Sequence, residues 1–374
     1  MPMVVGEPEV MFLRKFFDEV DHAVTNEMQA GKSLLEENLT FVLARLLDGE
    51  STFQRMLNYS IQDLNSDLER CATGTQISIE FETNEHKRYF ESTVSHADLG
   101  IVLRREGSIL NPEYTKAIIV QSKKLYPVKT QYSLFSQYGG FDGNQFLALK
   151  KIASDYSWNG VIYFLYNPRL EAFSEEEAKI LRALESRLLS FPMPFSRNFF
   201  WHPEMEYFLE KATRRGGGFL FGVGGSEIET KSPDELLEQR KKAIEFKPGL
   251  RVIGISDLSA IVGKNDSIRS SFHLEECYRH VFSDRWWGNS GTVPFLPLSS
   301  FIVDLFMGCG FGSDNQNLIR IAAGLPPNTD DDFDAGNNSD NENGSTGIAV
   351  KHTLRITVKN TLPEKNMMFH QRGW

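Results

Sequence analysis

Two short apolar stretches with polar residues inside them decide the fold: HADLGIVL at residues 96–103 and AIIVQSKK at residues 117–124. Each has the length and apolar character of a buried β-strand. Residues two apart on a strand point to the same face, so Gln121 and Lys123 project side by side. If the two stretches pair as a hairpin, Asp98 joins them at one edge of a sheet.

These three side chains combine groups that suit a divalent metal and a phosphate ester. The carboxylate of Asp98 and the amide oxygen of Gln121 are hard oxygen ligands, which Mg²⁺ and Mn²⁺ favour. The ammonium of Lys123 binds the phosphate or helps to activate a water. We therefore predict a catalytic Mg²⁺ (or Mn²⁺) site built on Asp98, Gln121 and Lys123.

An Asp followed by a strand that carries Gln-x-Lys resembles the PD-(D/E)xK nuclease superfamily. Gln121-Ser122-Lys123 is similar to the variant of Mrr-type restriction endonucleases, although Ala97 stands where the family name has proline. The resemblance covers about residues 33–170. It implies an α/β (α+β) fold with a restriction-endonuclease-like αβββαβ core, in which helices flank a mixed central sheet. The predicted order of helix, strands, helix and strand matches that core.

The resemblance also implies an acidic residue on the first core helix, which we predict over residues 34–47. Glu37 stands at the matching position and becomes the second catalytic acid and the third metal ligand. Ser33 and Glu36 have the spacing of a capping box, so Glu36 is expected to serve the backbone instead. The alternative for both glutamates is that they only favour the positive helix N-terminus.

Basic residues near this site are candidates for contacts to nucleic acid. Lys124 follows Lys123, and Lys150 and Lys151 lie in a helix predicted after residue 144. Residues 87–151 contain ten Lys or Arg and five Asp or Glu, a balance of +5 in a chain of net charge −10. A locally basic segment on an acidic protein is typical of a phosphate-binding site or of a solvated face.

Two further features near the site carry weaker signals. The resemblance assigns Gln145, at the start of that helix, to the nucleic-acid-binding residues. Residues 131–143 are rich in aromatic residues and glycine, including Tyr132, Phe135, Tyr138 and Phe141. Such a loop either covers substrate, because aromatic rings stack on bases, or packs against the core.

The chain of 374 residues is long for one typical domain and indicates two. Prolines near residues 192–202 suggest the boundary, with a nuclease domain at 1–195 and a C-terminal α+β domain of unknown role at 200–374. Within the latter, residues 328–347 are acidic and rich in Asn, Gly and Ser, which predicts a disordered loop. A late strand is predicted over residues 349–358.

The sequence argues against a zinc protein, a serine hydrolase, a secreted protein and a membrane protein. The three cysteines lie far apart, and the eight histidines show no zinc-ligand spacing. No Gly-x-Ser-x-Gly points to a nucleophilic serine. The N-terminus lacks the apolar core of a signal peptide, and no apolar run approaches the ~20 residues that span a membrane. We expect a cytoplasmic protein without membrane association.

The leading interpretation is a divalent-metal-dependent endonuclease that hydrolyses phosphodiester bonds, most consistently in DNA. The resemblance implies prokaryotic restriction or anti-phage (antiviral) defence, with a homo-oligomer or a defence-system protein as partner. The alternative is a catalytically inactive nuclease-like fold that binds nucleic acid or a partner protein. The neutral Gln121 favours that alternative, whereas the presence of both Asp98 and Lys123 favours catalysis.

Overall fold

The computed structural model describes residues 7–30, 34–71, 76–85, 97–106, 113–190, 249–264, 267–282, 293, 295–307, 311–327 and 350–361. Three sequence predictions lie outside these ranges. They are the cap at Ser33, the domain boundary at residues 192–202 and the disordered loop at residues 328–347.

Three N-terminal helices cover one face of the sheet. They are α1 (Glu7–Ala30), α2 (Glu36–Leu46) and α3 (Ile61–Cys71), with a short 3₁₀-helix (Thr52–Met56) before α3. Apolar residues of α1 recur at helical spacing and are buried, among them Leu13, Phe16, Phe17 and Val20. They pack in one hydrophobic cluster with inward-facing residues of the sheet, such as Ile101.

The central sheet has nine strands. They are β1 (Gln76–Glu85), β2 (Ala97–Arg105), β3 (Tyr114–Tyr126), β4 (Gln137–Tyr138), β5 (Val161–Tyr166), β6 (Leu250–Gly254), β9 (Phe272–His273), β10 (Leu296–Pro297) and β11 (Val350–Thr361). The main order is β1-β11-β2-β3-β5-β6-β10, and β4 pairs with both β3 and β9. A separate two-stranded ribbon consists of β7 (Gly263–Lys264) and β8 (Ser267–Ile268).

The predicted hairpin is confirmed, because β2 and β3 pair antiparallel with Leu99 opposite Val120. Strand β3 then pairs in parallel with β5. Helix α4 (Gly143–Asp155) lies between them in the chain and makes the crossover that parallel strands require.

A second hydrophobic cluster lies on the opposite face of the sheet. It contains residues of α4, α5 (Glu175–Ser190), α6 (Ile255–Val262), α7 (Leu274–Val281) and α8 (Gln316–Ala322). A π-helix (Ser300–Met307) belongs to the first cluster. The fold is therefore mixed α/β, with helices on both faces of one sheet, as the sequence predicts at this coarse level.

The C-terminal part of the chain contributes strands to the same sheet. Strand β11 lies between β1 and β2, antiparallel to β1 and parallel to β2. Its residues Leu354, Ile356 and Val358 are buried in the first hydrophobic cluster. This corrects the expected division into domains at 1–195 and 200–374, since the described strands from both parts share one sheet. None of the helices in the described part of the chain has the length and apolar character needed to span a bilayer.

Candidate functional site

The predicted polar residues gather where β3 runs past the beginning of β2. Strand β2 starts at Ala97, whereas β3 continues to Tyr126. The N-terminal ends of α2 and α4 also reach this place. Glu36 of α2 accepts a hydrogen bond from the backbone N–H of Lys124, and Gln145 of α4 donates one to the side chain of Gln121. A pair of strands and two helix starts thus form the walls of the site.

Asp98 is buried in this site and is held by two donors. Its Oδ2 accepts hydrogen bonds from the Gln121 amide nitrogen at 2.7 Å and from the backbone N–H of Ser122 at 2.8 Å. Burial raises the pKa of the carboxyl to about 7, the Ser122 bond opposes that rise, and the nearby charge of Glu36 adds to it. The ionised form of Asp98 is therefore costly unless a cation lies beside it.

Lys123 bridges α2 and the loop before α4. Its Nζ lies 3.2 Å from Glu36 Oε1 and 2.9 Å from the carbonyl oxygen of Gly140, and its side chain is only 4% exposed. Gly140 has a φ of +68°, a conformation that favours glycine and turns its carbonyl toward the lysine. The second oxygen of Glu36 accepts from the backbone N–H of Lys124 at 3.2 Å.

The structure places Glu36, rather than Glu37, against Lys123. Helix α2 begins at Glu36 with Leu35 at the N-cap and no side-chain cap there, and Ser33 of the predicted capping box lies outside the described residues. Glu36 instead contacts Lys123, and burial raises its pKa despite that contact. Glu37 pairs with Lys351, 3.1 Å from its Nζ, and stays 46% exposed.

Thr40 fixes the position of Glu36, a role that the sequence did not reveal. The two residues are four apart and so share one face of α2. The buried Thr40 hydroxyl lies 2.9 Å from Ser122 Oγ and 3.1 Å from the Tyr166 hydroxyl, which ties α2 to β3 and β5. The sequence does show a threonine one helical turn after Glu36, which could have suggested this role. The partners of Thr40, however, follow only from the order of the strands in the sheet.

Gln121 and Gln145 form a chain of amides behind Asp98. Gln121 donates to Asp98, while its own Oε1 accepts from Gln145 Nε2 at 3.0 Å. Gln145 therefore reaches the site, as expected, but through another side chain. In this arrangement Gln121 presents its nitrogen to Asp98, which differs from the predicted ligand role of its oxygen.

Lys351 is a site residue that the sequence analysis missed. Val350 pairs with Ala97 and His352 with Leu99, so Lys351 lies beside Asp98 on the neighbouring strand. Its charge lowers the pKa of Asp98, against the larger effect of burial. A late strand was predicted here, but nothing local indicated that β11 inserts next to β2.

The remaining basic candidates occupy different surroundings. Lys124 is buried, and its Nζ donates to the carbonyl of Leu34 at 2.7 Å. Lys150 and Lys151 lie on the exposed face of α4, and Lys151 pairs with Asp155 at 2.6 Å. The structure therefore brings Lys124 to the edge of the site and leaves the other two lysines on the helix surface.

The donor set fits a hydrated divalent cation held by two carboxylates. Within the described ranges, no cluster of three or more His, Cys, Asp or Glu side chains forms a complete metal cage. Mg²⁺ commonly takes only one or two protein carboxylates and completes its shell with water and phosphate oxygens. Asp98 and Glu36 supply that number, and burial raises the pKa of both carboxyls.

Gln121→Glu is expected to make folding depend on a divalent cation. The new carboxylate lies against Asp98 Oδ2, where the wild-type amide donates at 2.7 Å, so the two charges repel without a cation. We expect a lower melting temperature in EDTA and recovery when Mg²⁺ or Mn²⁺ is added. Gln121→Met, which has no charge, is the control and should not respond to metal more than the wild type. A destabilised Glu variant that metal does not rescue contradicts a cation site here.

Comparison with protein-family models, with curated proteins and with solved structures found no match to this chain.

Proposed function

We propose that the protein is a divalent-metal-dependent endonuclease that hydrolyses phosphodiester bonds, with DNA as the favoured substrate. The observation that carries the proposal is the meeting of Asp98 and Glu36 with Lys123 at one end of strands β2 and β3, where Asp98 and Lys123 are buried and Glu36 is partly exposed. Two carboxylates with raised pKa values beside a fixed ammonium suit a cation and a phosphate better than they suit structural stability.

The two carboxylates, Asp98 and Glu36, are the residues that would hold Mg²⁺ or Mn²⁺. A bound divalent ion supplies Lewis-acid polarisation of the phosphate and a water of lowered pKa. Lys123, directed by Glu36 and the Gly140 carbonyl, donates to a phosphate oxygen or orients the attacking water. The Gln121–Gln145 pair fixes the carboxylate of Asp98 from behind.

The order of elements supports a core of the PD-(D/E)xK type. Helices α2 and α3 precede β1, β2 and β3, and α4 connects β3 to the parallel β5, so the order is αβββαβ when α3 and the two-residue β4 are left out. Strand β11 inserts between β1 and β2 without changing their relative direction, because it is antiparallel to β1 and parallel to β2. Asp98 lies on β2 and Gln121-x-Lys123 lies on β3, which supports the comparison with that core.

A second candidate is a nuclease-like fold that binds nucleic acid or a partner without cleaving. The closed chain of hydrogen bonds from Gln145 through Gln121 to Asp98 favours it, because these groups satisfy one another without an ion. The pairing of Glu36 with Lys123 likewise satisfies both charges without an ion. The high cost of ionised Asp98 favours the catalytic candidate.

The biological role that we propose rests on the resemblance to Mrr-type enzymes. It is restriction or anti-phage defence in a prokaryotic cytoplasm, with a homo-oligomer or a defence-system protein as partner. The C-terminal part belongs to this catalytic unit, since β11 supplies Lys351 next to Asp98.

The direct test is to incubate the purified protein with supercoiled plasmid, linear duplex, single-stranded DNA and RNA, each with Mg²⁺, Mn²⁺ or EDTA. We expect internal cleavage of DNA that depends on the divalent ion and stops in EDTA. Binding of the same substrates without cleavage under any of these conditions supports the non-catalytic candidate instead.

Glu36→Gln is expected to reduce cleavage at least tenfold, whereas Glu37→Gln changes it much less. The scale of a lost catalytic electrostatic contact is roughly a hundredfold, and only Glu36 touches Lys123. The matched pair of variants has the same chemical change on adjacent residues. Initial cleavage rates at saturating Mg²⁺ measure the difference. Equal losses in both variants, or a larger loss in Glu37→Gln, remove Glu36 from the site.

A further inference from the structure

A cavity of about 670 Å³ opens directly beside the candidate site. Lys124 and Tyr126 of β3 form one wall, and Tyr132 and Ala172 form another. Glu36 connects the two regions, because its Oε1 contacts Lys123 and its Oε2 accepts from the backbone of Lys124. The cavity and the candidate site therefore share the end of β3, where Lys124 of the lining follows Lys123.

The walls of the cavity are flat and aromatic. Tyr126 is 40% exposed, and its ring rests on the backbone at Gly139, where an added Cβ would lie 3.2 Å from the ring. Tyr132 is held by Phe173, with their ring centroids 5.9 Å apart. Both tyrosine rings line the cavity and are held by neighbouring groups, and aromatic side chains of this kind are the ones on which bases stack.

The charges that line the cavity do not favour an anion. Lys124 and Glu171 are the charged lining residues, and they cancel. Lys124 Nζ is already directed to the carbonyl of Leu34. Gln29 can donate or accept hydrogen bonds in the lining, and the carboxylate of Glu171 can accept them. An uncharged flat ring with polar edges fits these surroundings, and the volume is within the ~300–1,000 Å³ of small-molecule sites.

From these observations, and resting on the proposed nuclease function, we propose that the cavity binds one unpaired nucleobase of the substrate next to the cleaved phosphate. A base in a duplex is stacked and paired and does not reach the tyrosines unless it leaves the helix. The enzyme therefore prefers single-stranded DNA, or duplex with an unpaired base at this position. The neighbouring sugar-phosphate backbone then lies along the end of β3 toward Lys123.

Binding in EDTA tests this without cleavage. The probes are single-stranded oligonucleotides of about twelve nucleotides with 2-aminopurine at successive positions, and the matching duplex. We expect tighter binding of the single strand and quenching of 2-aminopurine at one position. Tyr126→Ala should weaken single-strand binding about tenfold, the scale of one lost base–aromatic stack. Tyr126→Phe keeps the ring and should bind as the wild type.

Phe135→Ala is the matched control, since Phe135 is 62% exposed and lies outside the cavity lining. An abasic site at the quenched position should reproduce the loss in the wild type and add nothing in Tyr126→Ala. Tyr126→Leu keeps apolar bulk without a ring, so it gives the same answer if the alanine variant is unstable.

Equal binding by Tyr126→Ala and Phe135→Ala, no effect of the abasic site, or no binding of any oligonucleotide overturns the inference. If metal-dependent cleavage is observed together with any of these results, the nuclease function is supported and the nucleobase site is refuted. Base-dependent binding through Tyr126, without cleavage of any substrate in Mg²⁺ or Mn²⁺, supports the nucleobase site and refutes catalysis.

Discussion

A fragment that comprises residues 1–195 is expected not to fold cooperatively, although it contains every site residue that the sequence predicts. Strand β11 lies between β1 and β2, and in the fragment both strands lose the hydrogen bonds that they make to it. Among the described residues, β1 has no other partner strand. The fragment also exposes the apolar surface that Leu354, Ile356 and Val358 cover. Near-ultraviolet circular dichroism and a urea titration measure the outcome.

Truncation could also destabilise the protein for reasons unrelated to β11. Single substitutions within β11 of the full chain test its packing without that complication. Ile356→Ala removes a fully buried side chain and should lower the free energy of unfolding by about 2–5 kcal/mol. Arg355→Ala changes the adjacent exposed residue and should stay within about 0.5 kcal/mol. A cooperative transition in the 1–195 fragment with native-like near-ultraviolet dichroism contradicts the shared sheet.

Asp98→Asn is expected to abolish cleavage while stabilising the protein above neutral pH. The substitution removes the charge but retains an oxygen for the donors at Gln121 and Ser122, so the packing is preserved. Removing one transition-state electrostatic contact costs roughly a thousandfold in rate. Lys123→Met should show a loss of similar size, because it removes the ammonium beside Glu36.

The stability effect of Asp98→Asn has a defined pH dependence. The folded-state pKa of Asp98, about 7, lies above the ordinary aspartate value of 3.8, so the native state binds more protons between these values. The stability of the wild type therefore falls as pH rises through that window, and the Asn variant escapes the loss. Melting temperatures in EDTA should be similar at about pH 4 and higher for Asp98→Asn at about pH 8.

Asp142→Asn is the control for this exchange. Asp142 caps α4 through the backbone N–H of Asn144, and asparagine caps as well as aspartate does. Its variant should match the wild type in cleavage and in pH dependence. Full cleavage by Asp98→Asn, or a variant less stable than the wild type at both pH values, would assign Asp98 a structural role.

Local sequence patterns were sufficient to predict the strand pair that carries the site. The apolar runs around Asp98 and Gln121 are short, adjacent in the chain and buried on both faces, so their pairing needs little long-range information. The pairing of β11 with β2 depends on contacts between residues about 250 positions apart, for example His352 with Leu99. No local pattern encodes that choice.

The placement of Glu36 and Glu37 depends on the rotation of α2 about its own axis. A helix turns by about 100° per residue, so two adjacent acids face different directions. The buried bonds of Thr40 to Ser122 and Tyr166 select the actual rotation. Capping preferences of about 1 kcal/mol do not outweigh such packing.

Calorimetric titration of Mn²⁺ into the wild type and Asp98→Asn at about pH 8 tests the central claim most directly, because ionised Asp98 is then available. The account predicts saturable binding to the wild type and at least tenfold weaker binding to Asp98→Asn. Equal affinity in the two proteins, or no binding to the wild type, would contradict a metal site at Asp98.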